Sequence, residues 1–141
     1  MLLPLVLSMT LLAQVQGASP PPSKPAPPAG LEAYQFVLLQ RPEHPREYAQ
    51  EKLDEIQKEH LAHLRELAKA GKLMVAGPLD DQPDPRWRGI AIFRVGSLAE
   101  AKRLAEEDPA VKAGRLEAVV MTWYTEKGAL AFPMADKLHG Q

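Results

Sequence analysis

Few side chains in this sequence can move a proton or hold a metal. It has four histidines and no cysteine, which excludes thiolate nucleophiles, thiolate metal sites and disulfides. His60 has the most informative setting. Around it Leu53, Ile56, Leu64 and Leu67 recur at helical spacing and form one apolar stripe. At about 100° per residue, His60 falls near the middle of that stripe. An imidazole there needs a partner, a ligand or water, because an unpaired buried polar group costs roughly 1–3 kcal/mol. It is either a core histidine satisfied by a backbone carbonyl or a general acid or base.

Asp108 also carries two readings. It precedes Pro109, and aspartate at an N-cap with proline at the first helical position is ordinary capping chemistry. Alternatively it accepts a hydrogen bond from His60 and fixes the tautomer of the ring. The remaining histidines offer less. His44 sits in the proline-broken loop RPEHPR and His139 in the tail, both expected to be solvated, while His63 lies at the edge of the stripe. His60 and His63 have an i, i+3 spacing that could hold a metal, but no third ligand lies nearby, so no metal is expected. Asp80, Asp81 and Asp84 crowd one loop. They lack the alternation and terminal glutamate of a calcium loop, so a solvated connection is expected. No serine or threonine sits in a nucleophile elbow. What survives is proton transfer without a cofactor, or plain ligand binding.

The elements that must position these residues follow from periodicity. Tyr34–Gln40 is an apolar run of strand length. A helix is expected from about Glu47 to Ala70, opened by Pro45 and stopped by Gly71. Leu73–Ala76 reads as a second strand closed by Gly77-Pro78, and Trp87–Val95 alternates as a third. Ser97–Glu107 is a second helix in which Ser97 and Glu100 form a capping box. Pro109–Ala113 makes a short turn and Arg115–Tyr124 a fourth strand. The order β-α-β-β-α-β predicts an α+β, ferredoxin-like fold with an antiparallel four-stranded sheet and both helices on one face. Two helices cannot cover both faces. Apolar side chains on the far face therefore predict a homodimer through the sheet face.

Met1–Gly17 carries no charged side chain and a leucine-rich centre, with Val15 and Gly17 placed for cleavage before Ala18. It reads as a signal peptide, implying an exported protein, periplasmic or secreted, with no stable membrane insertion after cleavage. Residues 18–30, ASPPPSKPAPPAG, form a proline-rich linker. The folded domain is expected over residues 31–126, followed by a C-terminal arm, 127–141, packed on the domain or on a neighbouring subunit. The net charge is −1 and there is no basic block, so nucleic-acid binding is not expected.

The string EHLAHLRELAKAGKLMVAGPL, the strand WRGIAIFRV, the helix SLAEAKRLAEEDPAVKAGRLEA and a final strand ending in VMTWY resemble, in that order, the YciI-like (YCII-related) domain family. The resemblance covers about residues 33–126. It implies a dimeric α+β barrel and a His–Asp pair in a cleft, at positions matching His60 and Asp108. The chain departs from the compact members of that family in its leader, linker and arm.

Three functions fit these residues. One is a small enzyme with His60 as acid or base and Asp108 as its orienter, acting on a small organic molecule. The second is a non-catalytic dimeric binding module for a small ligand. The third is a structural domain in which the two residues tie helices together.

Overall fold

The computed structural model describes residues 26–139, so the expected signal peptide, residues 1–17, and most of the expected proline-rich linker lie outside the described residues. The elements run β1 (Leu31–Gln40), α1 (Gln50–Lys69), β2 (Leu73–Pro78), β3 (Trp87–Phe93), α2 (Leu98–Glu106), α3 (Pro109–Lys112), β4 (Glu117–Glu126) and α4 (Pro133–His139). The strands form one antiparallel sheet in the order β2-β3-β1-β4. This is the ferredoxin-like α+β arrangement, with β1 at the centre between β3 and β4.

Helix α1 begins three residues later than its sequence predicts. Ala49 is its N-cap and offers no side-chain acceptor, and Pro45 stays in the preceding loop. That segment is used elsewhere: the Tyr48 hydroxyl donates to the Ala113 carbonyl at 2.9 Å. The C-terminus is firmer. Gly71 takes φ +77, Gly71 N–H reaches Ala68 O at 3.0 Å and Lys72 N–H reaches Leu67 O at 2.9 Å. This paired closure needs a residue that tolerates the left-handed region, which glycine does.

At the start of α2, Ser97 Oγ accepts from Glu100 N–H at 3.0 Å. The expected reciprocal bond is displaced by one residue, since the Glu100 carboxylate takes Gly96 N–H at 3.3 Å and Lys72 Nζ at 3.0 Å. The third strand stops at Phe93, short of the expected Val95, β1 starts three residues earlier than expected, and β4 lies two residues later than the expected Arg115–Tyr124.

Between the sheet and the helices Val37, Ala91 and Phe93 pack against Leu67, Ala101 and Leu104. The far face holds a second cluster. Tyr34, Met74 and Ile92 are buried there against Leu130, Phe132 and Ala135 of the segment after β4. The Phe132 ring meets Tyr34 edge-on with centroids 5.5 Å apart, and the Arg94 guanidinium lies 5.6 Å over Phe132. The arm thus packs on its own domain. It covers only part of the face: Val75, Val119, Met121 and Trp123 stay exposed and border a cavity of about 480 Å³ under the arm, Val119 excepted. Among the described residues, no helix is long and apolar enough to cross a membrane.

Candidate functional site

His60 is buried on α1, as the stripe requires, with Ile56 one turn before it and Leu67 two turns after. Asp108 is the N-cap of α3, with proline at the following position. α1 and α3 pack against each other, and that contact closes the pair. His60 Nδ1 lies 2.7 Å from Asp108 Oδ2, with 8% of His60 and 3% of Asp108 exposed.

Asp108 fills both of the roles its sequence allowed. Oδ1 accepts from Ala110 N–H at 2.8 Å and so caps α3, while Oδ2 holds the imidazole. A carboxylate can only accept, so Nδ1 carries the proton and donates. Nε2 then bears the lone pair of the neutral ring. It has no protein partner among the described residues, where no buried side-chain nitrogen or oxygen lacks one. Nε2 therefore opens to solvent. The result is an imidazole fixed at Nδ1 by a buried carboxyl group, with Nε2 left without a protein partner among the described residues.

The other histidines do not join it. His63 is half-buried and its Nε2 lies 3.2 Å from the Leu104 carbonyl, tying α1 to α2. His44 is exposed in the loop before α1. His139 ends α4, and its side chain lies outside what is described. In the acidic loop, Asp84 is engaged by Arg86 at 2.9 Å, and that partner holds its carboxyl below the ordinary carboxylate range. Asp80 accepts from Asp81 N–H at 3.0 Å.

A cavity of about 400 Å³ opens beside the pair, between the N-terminal half of α1 and one end of the sheet. Its lining includes Ile56, one turn from His60, and Ala110, whose N–H Asp108 holds. His60 and Asp108 are not among its lining residues. A smaller cavity of about 220 Å³ shares Pro78, Arg88 and Leu116 with it and runs on between α1 and β2. Sequence reasoning missed the charged rim of the larger cavity, formed by Arg41, Arg88 and Arg115 with Asp54. Each stands singly at the end of an element or near it, and no periodic signal links them.

The YCII-related domain model matches residues 35–124. Protein YciI of Escherichia coli O6:H1 is 38% identical over 84 residues, covering 51% of this chain and 86% of that protein. Protein YciI of Shigella flexneri gives the same figures. A solved structure of 5-chloro-2-hydroxyhydroquinone dehydrochlorinase (TftG) from Burkholderia phenoliruptrix, in complex with 2,5-dihydroxybenzoquinone, is 23% identical. It aligns with a TM-score of 0.46, over 63% of this chain and 92% of that one. On the strength of the domain match and of its alignment to most of a YciI protein, the chain belongs to the YCII-related domain family.

Proposed function

We propose that this protein is a small enzyme that moves a proton on a small organic molecule, with His60 as the acid or base and Asp108 as its orienter. The carrying observation is the buried 2.7 Å contact on Nδ1 with Nε2 left open. A base must present a lone pair in a fixed direction, and a carboxylate on the opposite ring nitrogen does that while stabilising the imidazolium that forms. Isomerisation, lactone chemistry and hydrolysis all fit this apparatus. The second reading is a non-catalytic binding module, favoured by the cavity lying beside the pair rather than including it.

One experiment separates the two. Small metabolites are screened by thermal shift, and each one that stabilises the protein is incubated in D₂O and followed by NMR. Deuterium entering the ligand, or conversion of the ligand to a product, faster with the wild type than with His60→Gln supports the enzyme. Stabilisation by ligand without any His60-dependent exchange or conversion would leave only the binding module.

Two further parts of this reading concern the protein's setting. The protein is exported through Met1–Gly17, which intact-mass measurement of secreted material beginning at Ala18 would verify. It pairs with a second copy through the sheet face, a reading supported by the exposed Val75, Val119, Met121 and Trp123.

A further inference from the structure

The register of the sheet brings three arginines to one place. Gln40 pairs with Trp87 on one side and with Glu117 on the other, and Arg41 N–H donates to Arg86 O at 2.7 Å. The end of β1, the start of β3 and the start of β4 therefore coincide at one end of the sheet. Arg41, Arg88 and Arg115 meet there on the cavity of about 400 Å³.

Their charge is left largely unanswered. The acid on the same rim is Asp54, which is exposed and accepts from Gln50 at 2.8 Å. Three cations against one anion leave the rim at +2, in a chain whose net charge is −1. Arg86 and Arg103 are each paired with a carboxylate, Asp84 and Glu107. By contrast, the Arg41 and Arg88 guanidiniums have no hydrogen-bond or ion-pair partner among the described residues, and Arg115 donates only to the Arg46 carbonyl, at 2.8 Å. Like charges gathered on one concave surface repel unless an anion joins them. Beneath them the lining is apolar, with Leu53, Ile56, Pro78 and Leu116.

We infer that this cavity binds a small organic anion, its carboxylate or phosphate held by Arg41 and Arg88 and its carbon skeleton laid on the apolar floor. Guanidiniums suit either head group, since their paired N–H donors match the spacing of two oxygens. The cavity neighbours the His60–Asp108 pair through Ile56 and Ala110, and a molecule held there whose skeleton reaches His60 Nε2 is the substrate of the proposed proton transfer. That last step rests on the His60 reading; the binding itself does not.

The test titrates the full chain with malonate and, separately, with inorganic phosphate. Ionic strength is held constant with chloride, and the arginine Nε–Hε signals are followed by NMR. Saturable shifts are expected at Arg41 and Arg88. Binding should weaken about tenfold or more in Arg41→Gln or Arg88→Gln, as loss of a hydrogen bond to a charged group implies, and should be unchanged in Arg103→Gln. Tighter binding of malonate than of phosphate would assign the head group as a carboxylate, and the reverse order as a phosphate. Shifts no larger than those from chloride, or equal affinity in the Arg41→Gln/Arg88→Gln double variant with an otherwise wild-type amide spectrum, would overturn the inference. His60→Gln keeps the two proposals apart: it should retain anion binding, so loss of hydrogen exchange alone would bear only on the catalytic reading.

Discussion

Replacing Asp108 separates its two tasks. In Asp108→Ala, Ala110 N–H loses its capping acceptor at 2.8 Å, a change worth about 0.5–2 kcal/mol. His60 Nδ1 also loses its acceptor in a buried setting, which costs about 1–3 kcal/mol. The combined expectation is roughly 2–4 kcal/mol, since the two losses fall in one side chain and add only in part. Asp108→Asn should behave differently. Its carbonyl oxygen can keep the Ala110 bond while its NH₂ turns to Nδ1, forcing that nitrogen to accept. The ring proton then moves to Nε2, and stability falls by only about 1 kcal/mol, because a charge-assisted bond becomes a neutral one. Urea denaturation at fixed protein concentration measures the energies, and imidazole ¹⁵N shifts report the tautomer. A loss below about 0.5 kcal/mol for Asp108→Ala, the level of an ordinary surface change, would refute the reasoning. So would an Asp108→Asn ring still protonated at Nδ1.

Removing Ala129–Gln141 should expose Tyr34, Met74 and Ile92 and lower stability by a few kcal/mol, given about 1.5–3 kcal/mol for each large side chain fully buried; a melting curve unchanged from wild type would contradict it. Burial pushes the Tyr34 phenol above its ordinary value, with Glu32 adding in the same direction. Its contribution to stability is thus fully present below the usual phenol value of about 10 and lost as pH rises through the folded one. In the truncated chain a phenolate titration should move back toward that usual value. Gly89→Ala would place a Cβ 2.8 Å from the Gly77 carbonyl, across the pairing of Pro78 with Gly89. A backbone oxygen cannot swing aside, so a loss of about 1–3 kcal/mol is expected in chemical denaturation. Sedimentation at low micromolar concentration should give a dimer, and a dissociating effect of Trp123→Glu would place the contact on the sheet face.

Local pattern carried the fold. The apolar stripe of α1, the glycine stop at Gly71 and the serine cap of α2 each declare themselves within a few residues, and together they fix the element order. The site was half readable in the same way. His60 announces itself as a polar group on a buried stripe, and Asp108 as a residue before proline. Their meeting is a tertiary event, decided by the packing of α1 on α3, and spacing alone left it open. The arginine rim was invisible because Arg41, Arg88 and Arg115 become neighbours only through the pairing of β1 with both β3 and β4. The arm likewise lacks periodicity, since Leu130, Phe132 and Ala135 answer to the far face of the sheet rather than to one another. The late start of α1 has a similar origin, with Tyr48 held by a carbonyl at the end of α3.

The helix that Asp108 caps is a single turn of four residues. A turn that short gains little from helix cooperativity, so its survival depends on what clamps its ends. Asp108 closes one end. At the other, Arg46 N–H donates to Gly114 O at 3.2 Å and Arg115 returns a bond to Arg46 O at 2.8 Å. The loop before α1 is therefore part of what keeps the imidazole aimed. Brief unwinding of this turn would release the ring long before the domain unfolds as a whole. Amide hydrogen exchange at Ala110 and Val111 thus measures how long the site stays assembled, a lifetime that can be altered from the loop without touching either member of the pair.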